Sequence, residues 1–274
     1  MGRDGKSWPK SDGPRIGKIR NRRPQMSIMF ERFKSVGKTP CPPGSIRATR
    51  CPLVINPDSE DILTDNVFSR LRYLNPSLWL LPLLGIAYNR KFKAVDHRAL
   101  KIEFWKKLPA PPGEHMEGTA EVDILIKIKD LIFLTECKYR SLVLSGSPHR
   151  NQVIRYLDAA IFNYWPDSNS KCEIFFLLLT DTSTEPDILS EYRNVRKIYD
   201  ELTKVRFHVD YEKVSEMLAR NIGWTTWGNL LRILESQDPK KLPLVESMII
   251  ADLVHFLRYK LQVTKQTLHR ARKG

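Results

Sequence analysis

AEVDILIKIKDLIFLTECKYRS, residues 120–141, holds two runs rich in Ile, Leu and Val separated by the polar pair Lys129–Asp130. Two such runs with a short polar break read as a β-hairpin with a two-residue turn. That turn sets the register: facing residues have numbers summing to 259, so Asp123 and Glu136 are expected opposite each other. Directly opposed residues bring their Cβ atoms within about 5.5 Å, close enough for two carboxylates to grip one cation. Side chains alternate along a strand, so Lys138 shares the face of Glu136 while Cys137 points the other way. Charges among Ile, Leu and Phe are costly without a partner, and a bound divalent metal would offset them. The pattern [DE]xK occurs three times, at Asp4–Lys6, Glu136–Lys138 and Asp238–Lys240. Only the middle copy follows a registered Asp and ends a hairpin. A plain ion pair of Lys138 with Asp123 or Glu136 is the competing explanation.

Working outward, Leu63, Val67, Phe68, Leu71 and Leu74 share one face of a helix spanning Glu60–Leu74. RALKIEFWKKL (98–108) reads as a strand, and the hairpin supplies strands at 121–128 and 131–139. Gly146, Ser147 and Pro148 break the chain before a helix from Asn151 to Tyr164. CEIFFLLLT (172–180) is almost continuously apolar, as a strand buried on both faces would be. The order is helix, three strands, helix, strand. Residues 188–204, 211–221, 225–236 and 243–270 read as mainly helical, with a short strand at Val205–Val209. The expected class is α/β, followed by a mainly helical C-terminal part.

In that setting the segment resembles the PD-(D/E)xK, or restriction-endonuclease-like, nuclease superfamily. The match rests on Asp123, on Glu136–Cys137–Lys138 and on the element order, and covers roughly residues 58–180; Val122 replaces the Pro of the name. The resemblance implies an αβββαβ core with a mixed sheet and a metal-dependent nuclease that hydrolyses phosphodiester bonds. Asp123, Glu136 and the carbonyl of Cys137 would then hold Mg²⁺, with Mn²⁺ as a substitute. Lys138 would orient or deprotonate the attacking water and offset phosphate charge. This division agrees with the ion's chemistry: Mg²⁺ prefers oxygen ligands, keeps several waters and activates one of them.

Family members often carry another acid on the first helix. Glu60 falls within the stripe of Leu63, Val67, Leu71 and Leu74, whereas Asp61 and Asp65 are expected toward solvent. Glu60 is thus a further metal-site candidate, or else an acid suited to a helix N-terminus. RNQVIRYLDAA (150–160) resembles the family's Gln-containing motif, which makes Gln152 a candidate for positioning substrate or water. Arg155 and Tyr156 are candidates for phosphate contact. A plain amphipathic helix burying Val153, Leu157, Ala160 and Tyr164 is the alternative.

The formal charge of +14 on 274 residues draws the chain toward polyanions. Most of it lies in residues 1–50, with thirteen Lys and Arg against three acids. That arm is rich in Pro, Gly, Ser and Arg and reads as disordered. It serves either as a nucleic-acid-gripping tail or as translated leader ahead of a start at Met26 or Met29. The core is expected at 51–182 and the helical extension at 183–274. Cysteines 41, 51, 137 and 172 have no CxxC spacing, and reduced thiols in a cytoplasmic protein are the simplest reading. The apolar run Leu78–Tyr88 contains Pro82 and is about half the length of a membrane span. Trp224 and Trp227, at helical i, i+3 spacing, are expected in core packing, and the cations of 268–274 suit a helix C-terminus. The six histidines form no HxH or HExxH pair, which argues against a zinc hydrolase. The expected partner is nucleic acid, DNA foremost, with no membrane and with a homodimer as the candidate assembly. Two other readings compete: a nucleic-acid-binding module with weak or lost catalysis, and an interaction protein whose charged trio is an ion-pair cluster.

Overall fold

A computed structural model describes residues 59–93, 99–111, 119–140, 151–165, 171–203 and 211–271, with side chains placed as far as residue 262. The basic arm, the Gly146–Pro148 break, the candidate strand Val205–Val209 and the last residues of the cationic tail lie outside them.

Helix α1 (Glu60–Leu71) starts where the Ser59 hydroxyl accepts the Ile62 amide at 3.3 Å. It stops short of Leu74 because the chain turns there, and Asn75 caps a second helix by accepting the Ser77 amide at 3.0 Å. That helix, α2 (Pro76–Tyr88), is the long apolar run. Pro76 fits its first turn, where no amide is needed. Trp79, Leu80, Leu83 and Leu84 are buried, so the run is apolar because it is a core helix. No helix among the described residues is long and apolar enough to cross a membrane.

Five strands form one mixed sheet in the order β1 (Leu100–Leu108), β2 (Ala120–Ile128), β3 (Leu131–Cys137), β4 (Glu173–Thr180), β5 (Ile222–Thr226). The first three are antiparallel, and β4 runs parallel to both β3 and β5. The parallel step from β3 to β4 needs a crossover, which α3 (Gln152–Tyr164) supplies. The chain continues through α4 (Asp187–Tyr192), α5 (Val195–Thr203) and α6 (Tyr211–Arg220) into β5. It ends with α7 (Trp227–Glu235), a 3-10 turn at Pro239–Lys241 and α8 (Leu244–Ala271).

The stretch 188–204 is mainly helical as expected, in two helices, because Asn194 interrupts it and caps the second by accepting the Arg196 and Lys197 amides. One expectation is corrected here. Trp224 and Trp227 do not share a helix: Trp224 lies on β5, and Trp227 opens α7 after Thr226 caps it. IGWTT (222–226) does not alternate apolar with polar residues, and Thr226 ends the strand as it starts the helix. Trp227 is fully buried, as core packing requires.

The sheet separates two apolar cores. Phe175, Leu177 and Leu179 of β4 face one, with α1, α2, α7 and α8; Ile174, Phe176 and Leu178 face the other, with α3, α5 and α6. Burial on both faces accounts for the unbroken apolar run of β4.

One residue on α8 runs against this packing. Lys260 is 2% exposed, with its ammonium 5.7 and 5.8 Å from the rings of Tyr139 and Phe256. Burial, and then the nearby Arg140 cation, pushes its pKa from 10.5 down to about 8. Between these values the unfolded chain holds the extra proton, so stability rises with pH across that window. The ammonium's cost is therefore complete below the folded pKa and fades as pH approaches the unfolded one. Lys260→Met is expected to raise Tm by several degrees at neutral pH, with wild type and variant converging in melts near pH 10.

Candidate functional site

The β2–β3 hairpin turns at Lys129–Asp130, where Lys129 takes a left-handed φ of 52°. Its ladder pairs Ile128↔Leu131 through Ile124↔Thr135, the register read from the sequence. Asp123 and Glu136 are the next facing positions, and there the backbone pairing stops. In its place the Asp123 Oδ2 accepts the Cys137 amide at 2.9 Å. The strands thus part around two carboxylates while β3 stays paired to β4 through Cys137↔Leu179. The Lys138 amide continues that attachment, donating to the Leu179 carbonyl at 2.7 Å.

Lys138 lies between two acids, with Nζ 2.6 Å from Glu136 Oε1 and 3.2 Å from Glu60 Oε1. The second oxygen of Glu60 accepts the Tyr139 amide at 3.0 Å, which ties the N-terminus of α1 to the end of β3. From α3, Gln152 Nε2 donates to Glu136 Oε1 at 3.0 Å, and the Tyr156 hydroxyl lies 3.0 Å from Glu136 Oε2. The same hydroxyl is 2.7 Å from the Glu121 carbonyl and accepts from Gln152. Glu60, Asp123, Glu136, Lys138 and Gln152 therefore meet in one cluster. The Cys137 thiol is buried in the first core, which leaves that residue's main chain at the site.

Electrostatics follow from burial. Asp123 is 9% exposed and Glu136 1%. Burial first, then the Glu136 charge, raises the Asp123 carboxyl well above the usual range, against the Cys137 amide and Lys138. Burial works against the Lys138 ammonium, but Glu136 by charge and hydrogen bond, with Glu60 and Asp123, outweighs it and holds the pKa above 10.5. Burial and the Glu136 and Asp123 charges lift the Tyr156 hydroxyl far above its ordinary value.

Two placements differ from expectation. Asp65 is 3% exposed, not solvent-facing. Helix α1 is therefore covered over a wider arc than its apolar stripe; on another side of it Arg70 pairs with Asp252 of α8 at 3.1 Å and lies over Phe256. Tyr156 does not fit a phosphate contact, because its buried hydroxyl is directed at Glu136, whose charge repels an anion. Arg155 is half-buried on α3, one turn along from Asn151.

Sequence reasoning also missed supporting groups. The Trp227 indole donates to the Lys138 carbonyl at 3.1 Å, and Asp181, just past β4, accepts the Arg140 amide at 3.3 Å. An acid directly after a strand that abuts the site was the available signal for Asp181. Trp227 is expected only in core packing, and nothing local marks its bond to the Lys138 carbonyl, which depends on the unforeseen β5.

Among the described residues, no group of three or more His, Cys, Asp or Glu side chains is arranged to hold a metal ion. Comparison with family models, with curated proteins and with solved structures finds no match to this chain.

Proposed function

We propose that the chain is a Mg²⁺-dependent nuclease with a restriction-endonuclease-like fold, hydrolysing phosphodiester bonds of nucleic acid, DNA foremost. The observation that carries this reading is that Glu60 and Glu136 both pair with Lys138 while Asp123 holds the adjoining Cys137 amide, where the β2–β3 ladder parts. Two carboxylates hold the one ammonium with a third beside them, and burial, with the Glu136 charge, disfavours the ionised form of Asp123. A divalent cation suits that imbalance. Mg²⁺ needs only one or two carboxylates and takes waters for the rest, so the donor set fits without a cluster of three ligands in place.

Asp123, Glu136 and the Cys137 carbonyl would hold the ion, with Glu60 at the margin. When bound, the ion supplies charge neutralisation at the phosphate and a more acidic water. The remaining roles belong to the chain. Lys138, held as an ammonium among carboxylates, orients the attacking water and offsets charge on the phosphate. Gln152 and Tyr156 hold the Glu136 carboxylate by its two oxygens and so fix its direction.

One observation favours a second reading, a nucleic-acid-binding module with weak or lost catalysis. Both Glu136 oxygens already accept from Lys138, Gln152 or Tyr156, so this carboxylate is satisfied without an ion. The deciding experiment incubates the full chain with supercoiled, linear and single-stranded DNA and with RNA, in Mg²⁺, Mn²⁺ or EDTA. Cleavage that EDTA abolishes is expected. Binding without cleavage in either metal would favour the module, and neither binding nor cleavage would overturn both readings.

A further inference from the structure

Among the described residues four non-glycine positions have positive φ: Asn89, Trp105, Lys129 and Arg140. Asn89 caps α2, Lys129 forms the hairpin turn and Arg140 follows the end of β3. Trp105, at φ 45°, lies inside a strand. A bulky side chain in that region is an outlier that the surroundings must enforce.

Its partner position is Asp123. The β1–β2 ladder runs from Leu100↔Ile128 to Leu108↔Ala120 with one constant offset, and the single pair missing from it is Trp105 with Asp123. No residue is inserted, so this is not a bulge. Three further observations locate a twist at that pair. The rings of Phe104 and Trp105 lie 5.7 Å apart, although neighbours on a strand normally point to opposite faces. Ala120 and Val122 pack in the second core, whereas Ile124, Ile126 and Ile128 pack in the first, so β2 turns over at Asp123. Strand β1 turns over with it: Leu100, Ile102 and Phe104 face the first core and Leu108 the second.

We infer that Trp105 is a positioning residue for Asp123: its left-handed backbone breaks the β1–β2 ladder at that pair and turns the Asp123 carboxylate across to the Cys137 amide. On both sides of Asp123 the regular pairing is absent, from Trp105 on β1 and from Glu136 on β3. The hydrogen bond from Cys137 to Asp123 Oδ2 takes the place of the lost ladder on the β3 side. The inference deepens the proposed function and rests on reading Asp123 as a metal carboxylate.

The test is amide hydrogen exchange at Cys137, with Phe133 of the same strand as internal reference, and Mn²⁺ affinity as a second readout. Trp105→Gly accepts a positive φ without strain and should keep Cys137 protected and Mn²⁺ affinity unchanged. Trp105→Val, whose branched side chain resists that region, should force extended backbone. Cys137 exchange should then rise about tenfold or more relative to Phe133, the loss of one charge-assisted hydrogen bond, and Mn²⁺ affinity should fall by a similar factor. Should Trp105→Val fail to fold, Trp105→Thr, which is branched at Cβ in the same way, takes its place. The exchange readout needs neither metal nor substrate, so a chain that cleaves nothing leaves it intact and the two readings fail separately. Unchanged protection in Trp105→Val (or Trp105→Thr), or equal loss in the Gly and Val variants, would overturn the inference.

Discussion

Lys138→Ala is expected to lower single-turnover cleavage by about 10²-fold or more, a typical loss for one catalytic group, while Mn²⁺ still binds. The ammonium lies 2.6 Å from Glu136 and 3.2 Å from Glu60, and its removal leaves both metal carboxylates in place. It also deepens the negative field, so metal affinity should hold or rise, and added Mn²⁺ should raise the variant's Tm by linkage. Lys138→Arg should not restore the rate, because a planar guanidinium does not reproduce a compact ammonium. Asp123→Ala and Glu136→Ala should behave otherwise, losing metal binding and with it the electrostatic stabilisation on which phosphoryl transfer depends. A structural ion-pair cluster leads to a different pattern, in which all three variants lose stability and no metal-dependent rate changes. Melting temperature, Mn²⁺ affinity and single-turnover cleavage on the three proteins separate the two. Full cleavage by folded Lys138→Ala or Asp123→Ala would remove the assignment.

The hairpin was legible because its information is local. Two residues of turn and a period of two sufficed for the register, which the structure keeps at every pair up to Ile124↔Thr135, one position short of the expected Asp123–Glu136 pair. The α3 crossover and the buried β4 were legible for a similar reason, since a long amphipathic helix and an unbroken apolar strand each carry their own signature. Legibility failed where a residue's role depends on distant chain. Ile222–Thr226 becomes a strand because β4 presents a free edge to it, not because its sequence alternates. Asp65 is buried although it lies off the apolar stripe of α1, a coverage that the helix's own periodicity does not announce. Glu60 was found from its place on the helical stripe, but its hold on the Tyr139 amide follows from how α1 docks against β3. At Asp123 the sequence pattern predicts continued pairing where the ladder in fact breaks, since a left-handed tryptophan has no signature in a strand pattern.

Gly223→Ala is expected to destabilise the fold by roughly 2–4 kcal/mol, from overpacking together with disturbance of one buried hydrogen bond. A Cβ at position 223 would lie 2.5 Å from Cε1 and 2.6 Å from Cζ of Tyr88. That ring cannot easily yield. Its hydroxyl donates to the Phe176 carbonyl at 3.0 Å, and its faces and edges meet Phe175 at 5.3 Å, Phe92 at 5.8 Å and Phe133 at 6.3 Å. Burial holds the hydroxyl well above its ordinary pKa, so ionisation offers no escape. Chain displacement is the remaining response, and β5 would have to move off β4, with which Gly223 pairs through Leu177. The consequence reaches the candidate site, because two residues along β4 the Leu179 carbonyl holds the Lys138 amide. Gly223→Ala should therefore lower Tm and reduce the cleavage rate even where the protein remains folded. A double-mutant cycle with Tyr88→Ala isolates the cause. Tyr88→Ala alone should cost about 3–5 kcal/mol, as a buried aromatic truncation does, but with the ring gone the second change at Gly223 should add little. Full additivity in the double variant would show that the cost at Gly223 comes from the strand itself and not from the ring packed on it.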